Sequence, residues 1–476
     1  MFIGRRRELA ALQAEFDAVS RGKRLDRGIA VMIRGRRRVG KSRLASEFAT
    51  RTGAPYVHFQ ASRGAPLTQE LATFHRAIAR SSLPGAGLAS RLTAATLTEA
   101  LTNLADLLPE DNPSVVVLDE IPWLLEAIPG GAGELQRAWD LELSRKPVLL
   151  ILLGSDISMM ERITQADQPF YGRATEMILR ELNPHDIATM TQTAGIEAFD
   201  AYLVTGGQPL VAQEWEPGST LDAFLQDSLE RQTSALLVNG TRILDSEFSE
   251  GSLARQVLTA IGGQGERTFT NVQRALEGPS TPHPQTLTST INRLLDRRVI
   301  AADEPLSIRT APKDRRFRVA DPGLRFHLAF LEKGLADIEA GRPKGVLQQI
   351  RTSYSTWRGR AIEAVVRDSV QRLHHEDWPN VRHVGGWWPR TNNPEIDLVA
   401  TDSRPAKEIS FVGTIKWRDN KPLNRHDSDQ LRRDAALVPG FTDSTALVGV
   451  CPAGGTTDLD LAAIWSADDL LTAWES

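Results

Sequence analysis

The feature that most constrains the fold is a short segment in which two glycines, a lysine and a serine follow an apolar run. Residues 35–42 read Gly-Arg-Arg-Arg-Val-Gly-Lys-Ser, which fits the pattern G-x4-G-K-[ST]. The apolar residues at 29–34 predict a strand before the segment, and residues 42–49 predict a helix after it. A strand, a glycine loop and a helix in this order are typical of a parallel sheet that is covered by helices.

The same loop predicts a site for a polyphosphate. Glycines let backbone N–H groups approach a phosphate without a Cβ in the way, and the helix N-terminus adds its positive end. The ammonium group of Lys41 would reach the terminal phosphates, and the hydroxyl of Ser42 would ligate magnesium. We therefore expect ATP with Mg²⁺ as the bound nucleotide. The residues of this segment predicted to contact it are Gly35, Arg38, Val39, Gly40, Lys41, Ser42 and Arg43.

Two carboxylates follow the next strongly apolar run, at 115–118. A buried strand that ends in acids presents them at its C-terminal end, where α/β sheets bind ligands. Asp119 is predicted to hold the magnesium ion through water, and Glu120 to polarise the attacking water. The two acids together favour hydrolysis over binding alone.

Two further residues have predicted roles that the sequence leaves open. Ser155 follows the predicted strand 148–154 and either contacts the γ-phosphate or the attacking water, or caps the next helix. Arg173 precedes the predicted strand 176–179 and is either an arginine finger, in the same chain or from a neighbouring subunit, or an exposed arginine with no such role.

Short apolar runs alternate with helical patterns over residues 1–180, which predicts an α/β domain with a parallel sheet. The predicted strands lie at 29–34, 55–60, 115–118, 148–154 and 176–179. Helical patterns follow as far as about residue 241, with a turn at 205–209. Three short helical patterns and a hairpin-like pair around 309–318 come next, and from about 353 a helix precedes strands rich in Trp, Val and Ile.

The composition adds mainly exclusions. With 41% hydrophobic and 24% charged residues, each domain can bury its own core without a metal or a disulfide. Cys451 is the single cysteine, which excludes an intrachain disulfide and a cysteine-based zinc site. His374 and His375 show no metal-ligand spacing, and the net charge of −4 gives no global attraction to nucleic acid. No apolar run suits a signal peptide or a membrane span, so we expect a cytoplasmic protein with no membrane contact.

An ordered set of motifs along nearly the whole chain resembles the AAA+-related archaeal-type ATPases that also occur in bacteria. The set is much more specific than the glycine loop alone. Besides that loop it comprises residues 2–9 (Phe-Ile-Gly-Arg-Arg-Arg-Glu-Leu), 118–120 (Leu-Asp-Glu), 154–155 (Gly-Ser), 171–173 (Tyr-Gly-Arg), 206–209 (Gly-Gly-Gln-Pro), 318–326 (Arg-Val-Ala-Asp-Pro-Gly-Leu-Arg-Phe) and 395–399 (Glu-Ile-Asp-Leu-Val).

The resemblance implies a P-loop ATPase core at 1–180 and a helical lid at 181–245. A winged helix at 246–330, a helical linker at 331–352 and a restriction-endonuclease-like domain at 353–476 follow. It also implies contacts with the adenine base for Ile3, Gly4 and Arg5, and a nucleotide-facing turn at Pro209. One departure is Asp156, where the family often has a second serine.

The middle segment could contact DNA. The expected helix has one apolar face, formed by Leu287, Ile291, Leu294 and Leu295. The basic and polar residues on its other side and in the following hairpin are Asn292, Arg293, Arg297, Arg298, Arg309, Lys313, Arg315, Arg316 and Arg318. A helix with a basic wing suits a major groove and its adjacent phosphates. Packing of this module against another domain, with solvated arginines, is an equally open alternative.

For the C-terminal domain, the resemblance implies a PD-(D/E)xK-type nuclease site with two acids and a lysine. Asp397 and Lys416 fit this pattern, and Glu363 is the helix acid that relatives often add. Thr414 stands where the second acid is expected, and a neutral hydroxyl cannot supply the charge that a hard cation requires. Glu395 lies two residues before Asp397 and shares its strand face, so it could compensate. We interpret the domain as a degenerate nuclease that keeps its fold for binding.

The resulting hypothesis is a Mg²⁺-dependent ATPase whose cycle moves the lid and the winged helix and thereby controls binding of double-stranded DNA or a protein partner. One alternative is a nucleotide-dependent signalling scaffold with little turnover. The other is an ATP-regulated DNA nuclease. An oligomer is compatible with the sequence, which does not fix the assembly.

Overall fold

The computed structural model describes residues 2–21, 27–155, 157–248, 251–278, 281–373 and 376–475. Asp156, His374 and His375 lie outside these residues. The chain divides into two compact units, Met1–Leu182 and Asn183–Ser476. Within the described ranges, no helix is both long enough and apolar enough to cross a bilayer.

A parallel sheet forms the centre of the first unit. Its strands are β1 (Ile29–Arg34), β2 (Tyr56–Gln60), β3 (Ser114–Asp119), β4 (Val148–Gly154) and β5 (Ala174–Ile178). They lie in the order β2-β3-β4-β1-β5, and every neighbouring pair is parallel. Strands β3 and β4 are buried along their whole length, as their uninterrupted apolar runs predicted. The predicted fold class is confirmed, with strand ends shifted by one or two residues.

Helices cover both faces of this sheet. They are α1 (Arg6–Ser20), α2 (Lys41–Thr52), α3 (Leu67–Ala79), α4 (Leu97–Leu107), α5 (Ile121–Glu126), α6 (Gly131–Leu141) and α7 (Ile157–Thr164). Because side chains alternate along a strand, each strand contributes to two cores. Val115 and Val117 pack with Leu12, Leu44 and other residues of α1 and α2. Val116 and Leu118 pack on the opposite face with residues of α3, α4 and α6.

The second unit begins with five helices, in the region predicted to be helical. They are α8 (Pro184–Thr191), α9 (Gly195–Thr205), α10 (Pro209–Ala212), α11 (Leu221–Glu230) and α12 (Ala235–Glu247). Side-chain caps fix several starts. For example, Asn183 accepts the N–H of Asp186 at α8, and Thr220 accepts the N–H of Ala223 at α11.

A small mixed segment follows. It consists of α13 (Leu253–Ile261), β6 (Arg267–Thr268), α14 (Phe269–Ala275), α15 (Pro284–Asp296), β7 (Ile300–Asp303) and β8 (Arg316–Val319). The three strands form an antiparallel sheet in the order β6-β8-β7. The predicted apolar face of α15 lies in the core of this segment, where Leu287, Ile291 and Leu294 are buried.

The predicted hairpin around 309–318 was wrong in its first strand. That strand is β7, and residues 304–315 form the connection to β8. Pro305 and Pro312 lie in this connection, and a proline has no N–H to donate to a strand ladder. The apolar residue at the start of the hairpin is Ile300, which pairs with Val319.

The last part of the second unit contains a long helix and a second five-stranded sheet. Its elements are α16 (Pro322–Phe326), α17 (Leu335–Glu339), α18 (Pro343–Arg372), β9 (His383–Trp387), β10 (Ile396–Thr401), β11 (Ile409–Ile415), α19 (Arg425–Ala435), β12 (Ala446–Val450), β13 (Ala463–Trp465) and α20 (Ala467–Thr472). The sheet order is β13-β12-β11-β10-β9. Strands β9 to β11 are antiparallel, and β11 to β13 are parallel. The expected boundary at 352–353 falls inside α18.

A contact between two glycines joins the end of α9 to the start of α16. Gly206 ends α9 with φ 63°. A Cβ at this position would lie 2.7 Å from both Asp321 Oδ1 and the backbone nitrogen of Gly323, and 2.9 Å from Gly323 Cα. Asp321 caps α16 by accepting the N–H of Leu324 at 3.0 Å. Gly206 is therefore required both by its left-handed backbone and by this close approach.

We predict that Gly206→Ala destabilises the second unit by about 2–5 kcal/mol, because left-handed strain adds to the overpacking. The matched control is Gly218→Ala, since Gly218 has φ 75° but a Cβ there would have no described atom within 4 Å. The control should lose only about 1–2 kcal/mol of stability, because it gains the backbone strain without the overpacking. Urea unfolding measures both variants, and equal losses would contradict the proposed contact.

Candidate active site

The loop after β1 places Lys41 at the start of α2. Gly40, the N-cap residue, has φ 95°, a conformation that favours glycine. Gly35 is required for another reason, since a Cβ there would lie 2.3 Å from the carbonyl oxygen of Leu179. The ammonium group of Lys41 donates to the carbonyl oxygens of Gly35 at 2.7 Å and Arg36 at 2.9 Å. The loop thus folds around its own lysine.

Burial lowers the pKa of Lys41 to about 8, although Glu120 and Asp119 act in the opposite direction. The charged form of Lys41 is therefore less favoured here than in water. An anionic ligand beside this ammonium group would restore the preference for the charged form. The loop thus offers a buried cation whose charge a phosphate would stabilise.

Asp119, the last residue of β3, is 1% exposed. Its Oδ1 accepts the N–H of Glu120 at 2.9 Å. Burial acts to raise the pKa of Asp119, but the hydrogen-bonding side chains of His58 and Ser42 outweigh that effect, and the pKa lies below its usual value. Oδ2 is buried and has no hydrogen-bond partner of good geometry in the described part of the chain. An anionic carboxylate with an unsatisfied oxygen beside a serine hydroxyl fits a magnesium site.

Glu120 and Ser155 are brought together by the ends of β3 and β4. The Glu120 carboxylate accepts the N–H of Ser155 at 3.1 Å and also the hydroxyl of Ser155. Glu120 adopts φ 52°, in the left-handed region, immediately before α5. Both roles left open for Ser155, at the γ-phosphate or attacking water and as a helix cap, stay predictions. Asp156, the next residue, lies outside the described residues.

The opening segment reaches the loop through Arg5. The guanidinium group of Arg5 is 6% exposed and donates to the carbonyl oxygen of Val39 at 2.8 Å. Ile3 and Gly4 are half-buried and precede α1, while the side chain of Val39 lies in the core. Sequence reasoning assigned Arg5 to the adenine base. The structure adds a contact that fixes the opening segment to the loop.

Three more residues were predicted to contact the nucleotide. Arg38 and Arg43 of the first unit are exposed, and Arg38 adopts φ 69°. Pro209 is half-buried and is the first residue of α10 in the second unit.

Arg173 is held within its own unit. Its Nε and Nη2 atoms each donate to Asp140 of α6 at 2.8 Å, and its Nη1 donates to the carbonyl oxygen of Pro169 at 2.8 Å. The hydrogen bond with Asp140 raises the pKa of Arg173 and lowers that of Asp140. An arginine finger at this position would have to give up a bidentate ion pair.

In the C-terminal domain, an arginine stands among the predicted acids. Arg367 of α18 donates from Nη2 to Glu363 at 3.1 Å and from Nε to the carbonyl oxygen of Asp397 at 2.8 Å. A Cβ at Gly386 would lie 2.8 Å from the same Nη2. Burial raises the pKa of Glu363 to about 8, against the opposing effect of Arg367.

The other residues of the predicted nuclease site either bond to neighbouring protein groups or have no partner among the described residues. Asp397 Oδ2 accepts the hydroxyl of Thr414 at 3.0 Å and the N–H of Ile415 at 2.8 Å. Glu395 accepts from Arg316 of β8 at 2.5 Å. Lys416 lines a cleft of about 290 Å³ with Asp397 and Thr414, and among the described residues its ammonium group has no hydrogen bond or ion pair.

This donor set does not fit a magnesium site. Over the described ranges, no cluster of three or more His, Cys, Asp or Glu side chains is placed to hold a metal ion. Thr414 donates to Asp397 where an acid would share a cation, and Arg367 supplies a fixed positive charge.

We predict that Arg367→Met destabilises the protein by about 3–5 kcal/mol, because it leaves the buried carboxyl group of Glu363 and the carbonyl oxygen of Asp397 without their donor. Lys416→Met, in the same domain, should change the melting temperature little, since Lys416 has no described partner. Thermal unfolding compares the two variants. A working nuclease site would give the opposite result. Lys416→Met would then abolish DNA cleavage, and Arg367→Met would leave the melting temperature unchanged.

Sequence reasoning missed three contributors, namely His58, Arg367 and Asp140. His58 was visible only as one residue of the predicted strand 55–60, and it contacts Asp119 because β2 and β3 are neighbours. Arg367 follows Glu363 by four residues, a spacing that allows an ion pair within a helix. That spacing could have predicted the ion pair from the sequence. No local pattern could have predicted the contact of Asp140 with Arg173, because the two residues are 33 positions apart.

Two family models match the chain. Residues 1–137 match the family described as AAA ATPase domain. Residues 327–430 match the family described as archaea bacterial proteins of unknown function. A search of curated proteins finds no match.

Similar solved structures include a Walker-type ATPase of Pyrococcus abyssi, at 19% identity and a TM-score of 0.48, covering 69% of this chain and 96% of that one. The ORC2 protein of Aeropyrum pernix, in ADPNP–ADP complexes, is 15% identical with a TM-score of 0.43, covering 73% of this chain and 95% of that one. The ORC1 protein of the same organism, in complex with DNA, is 14% identical with a TM-score of 0.32, covering 73% and 94%. Because these TM-scores are below 0.5, the assignment depends on the family models and on the motifs in the sheet.

The parallel sheet, the glycine loop and the paired acids define the first unit as a P-loop ATPase domain of the AAA class. The match over residues 1–137 confirms an ATPase domain of the AAA+-related kind that the motifs of this part of the chain resemble.

Proposed function

We propose that this ATPase binds ATP together with Mg²⁺, hydrolyses it, and uses the cycle to control binding of double-stranded DNA. The observation that carries the proposal is the meeting of four side chains at the C-terminal ends of β3 and β4 and the start of α2. The side chain of Ser42 is one of the neighbours that lower the pKa of Asp119, and Ser155 donates to Glu120. This grouping supports both metal binding and activation of water.

In the proposed cycle, Lys41 exchanges the carbonyl oxygens of Gly35 and Arg36 for phosphate oxygens of ATP. The exchange is favourable because the phosphates stabilise an ammonium group whose pKa burial has lowered to about 8. The N–H groups at the start of α2 contribute donors and the positive end of the helix.

Ser42 and Asp119 are the residues that would hold magnesium, which when bound neutralises charge on the phosphates. Asp119 suits this role because its carboxylate is anionic and already oriented by the N–H of Glu120. Glu120 would accept a hydrogen bond from the attacking water. Its two oxygens already accept the N–H and the hydroxyl of Ser155, and each keeps a lone pair for a water.

Contacts inside the second unit support transmission of the cycle through a single body. Asp200 of α9 accepts from the Tyr354 hydroxyl at 2.9 Å and from Arg358 at 3.1 Å, both on α18. Burial raises the pKa of Asp200 to about 6. Phe199 of α9 packs edge-on against Trp417, with ring centroids 5.1 Å apart. The lid predicted at 181–245 is thus joined to the C-terminal domain, and we propose that the two move together.

We predict that Lys41→Ala abolishes ATP binding, whereas Glu120→Gln keeps binding and lowers turnover by at least about 100-fold. The reason is that the ammonium group contacts the phosphates, while the carboxylate acts on water. Fluorescent-nucleotide titration and steady-state phosphate release measure the two effects.

Lys146→Ala is the control for the lysine substitution, because Lys146 pairs with Glu110 just before β4, at the other end of the sheet. It should leave both measurements unchanged. ATP binding by Lys41→Ala at wild-type affinity would remove the proposal. Tight binding by the wild type with negligible turnover would instead support the signalling-scaffold alternative.

For the partner, we propose that residues 253–319 form a winged helix and that α15 contacts the DNA. Three arginines of the expected wing form ion pairs within the second unit. These join Arg315 to Glu304, Arg316 to Glu266 and Glu395, and Arg318 to Asp303. These three arginines are therefore poorly suited to phosphate binding.

The outer face of α15 has the opposite character. Gln285, Ser289, Asn292 and Arg293 are exposed at helical spacing and line one shallow surface. In the described part of the chain these four side chains have no hydrogen bond or ion pair. Amide and guanidinium groups on a helix match the donor and acceptor pattern of a major groove. This match favours duplex DNA over a protein as the partner.

We predict that the double substitution Asn292→Ala/Arg293→Ala weakens binding of duplex DNA by about tenfold or more, since one bidentate base contact contributes about 1–3 kcal/mol. Arg342→Ala is the control, because Arg342 is an exposed arginine at the start of α18. Fluorescence anisotropy at fixed salt, with and without ATP, is the measurement. If the double variant binds DNA as the wild type does, α15 is not the contact, and a protein partner becomes the better explanation.

A further inference from the structure

We infer that His58 is a positioning residue that orients Asp119 for the metal ion. The inference rests on the proposed magnesium–ATP site, and it assigns a role to a side chain on a third element, β2. His58 lies directly across from Val117, two residues before Asp119 in the parallel register of β2 and β3. Its ring therefore reaches along the sheet towards the acid.

The imidazole bridges the helix that follows the glycine loop and the acid at the end of β3. Its Nδ1 lies 3.2 Å from the Ser46 hydroxyl oxygen. Its Nε2 lies 3.5 Å from Asp119 Oδ2, the buried oxygen that has no hydrogen-bond partner of good geometry in the described ranges. Contacts of this kind are often long without ligands and shorten when the site is loaded.

The contacts of the imidazole determine which of its ring nitrogens carries the proton that faces Asp119. The Ser46 hydroxyl can donate to Nδ1, which leaves a neutral imidazole protonated on Nε2. That N–H then points at Asp119 Oδ2. The other oxygen, Oδ1, is already held by the N–H of Glu120. One carboxylate oxygen is thus held by a backbone N–H, and the imidazole approaches the other at 3.5 Å without satisfying it, so the two contacts restrict the rotation of the carboxylate.

The contacts of His58 connect the two elements that carry the residues proposed to hold magnesium. Ser46 lies one helical turn after Ser42 on α2, and the side chain of Ser42 is one of the neighbours that lower the pKa of Asp119. His58 contacts Ser46 on one side and Asp119 on the other, so it couples α2 to the end of β3. Side chains that orient metal ligands in this way typically change metal affinity by about 10–100-fold when they are removed.

The experiment is a magnesium titration of nucleotide binding with a fluorescent ADP, carried out on the full chain. We expect His58→Phe to raise the magnesium concentration at half-maximal effect by about 10–100-fold while nucleotide affinity in EDTA stays at the wild-type value. His58→Asn, which keeps a donor near the acid, should recover most of the shift. A residue that merely supported folding would alter both affinities and would not be rescued in this way.

His75→Phe is the matched control, because His75 is a buried histidine of the same unit that bonds to Leu71 and Asn103. It should leave the magnesium midpoint unchanged. An unchanged midpoint in His58→Phe, with a clear magnesium effect in the wild type, overturns the role of His58. If the wild type binds nucleotide with no magnesium effect at all, the metal site itself fails. If the wild type binds no nucleotide, the proposed function fails.

Discussion

The burial of one carboxylate, that of Asp119, is the constraint on which the ATPase site depends. A charged group that is removed from water needs donors around it, and the neighbouring elements supply them. The backbone of Glu120, the hydroxyl of Ser42 and the ring of His58 all face it. The same burial leaves one oxygen unsatisfied, so the site is arranged for a further ligand before any ligand arrives.

Much of this site could be predicted from the sequence because its signals are local. The glycine loop, Lys41 and Ser42 are contiguous, and the acids directly follow a fully apolar strand. The contact of Ser155 with Glu120 was not predicted, since it depends on β3 and β4 being neighbours and strand order is not local. For the same reason the bridging position of His58 became visible only once β2 was paired with β3.

The C-terminal part of the chain brings together some residues of the expected nuclease pattern. The family resemblance implied Asp397 and Lys416, and both line one cleft. The sequence also revealed Thr414 in place of an acid. It did not reveal that Arg367 would reach from a helix to the strand carrying Asp397, because that requires the space left by Gly386. The first strand of the hairpin predicted around 309–318 was wrong for a simpler reason, since Pro305 and Pro312 lie in the connection and a proline has no N–H for a strand ladder.

Helix α18 has a mechanical consequence of its own. Its 30 residues make a rod about 45 Å long. Along that rod, Arg351 pairs with Asp222 of α11, Arg358 with Asp200 of α9, and Arg367 with Glu363 and Asp397. One uninterrupted helix therefore connects α9 and α11 to the strand that carries Asp397, with no loop between these contacts. A rigid element of this length couples the positions of the helices and the sheet that it contacts.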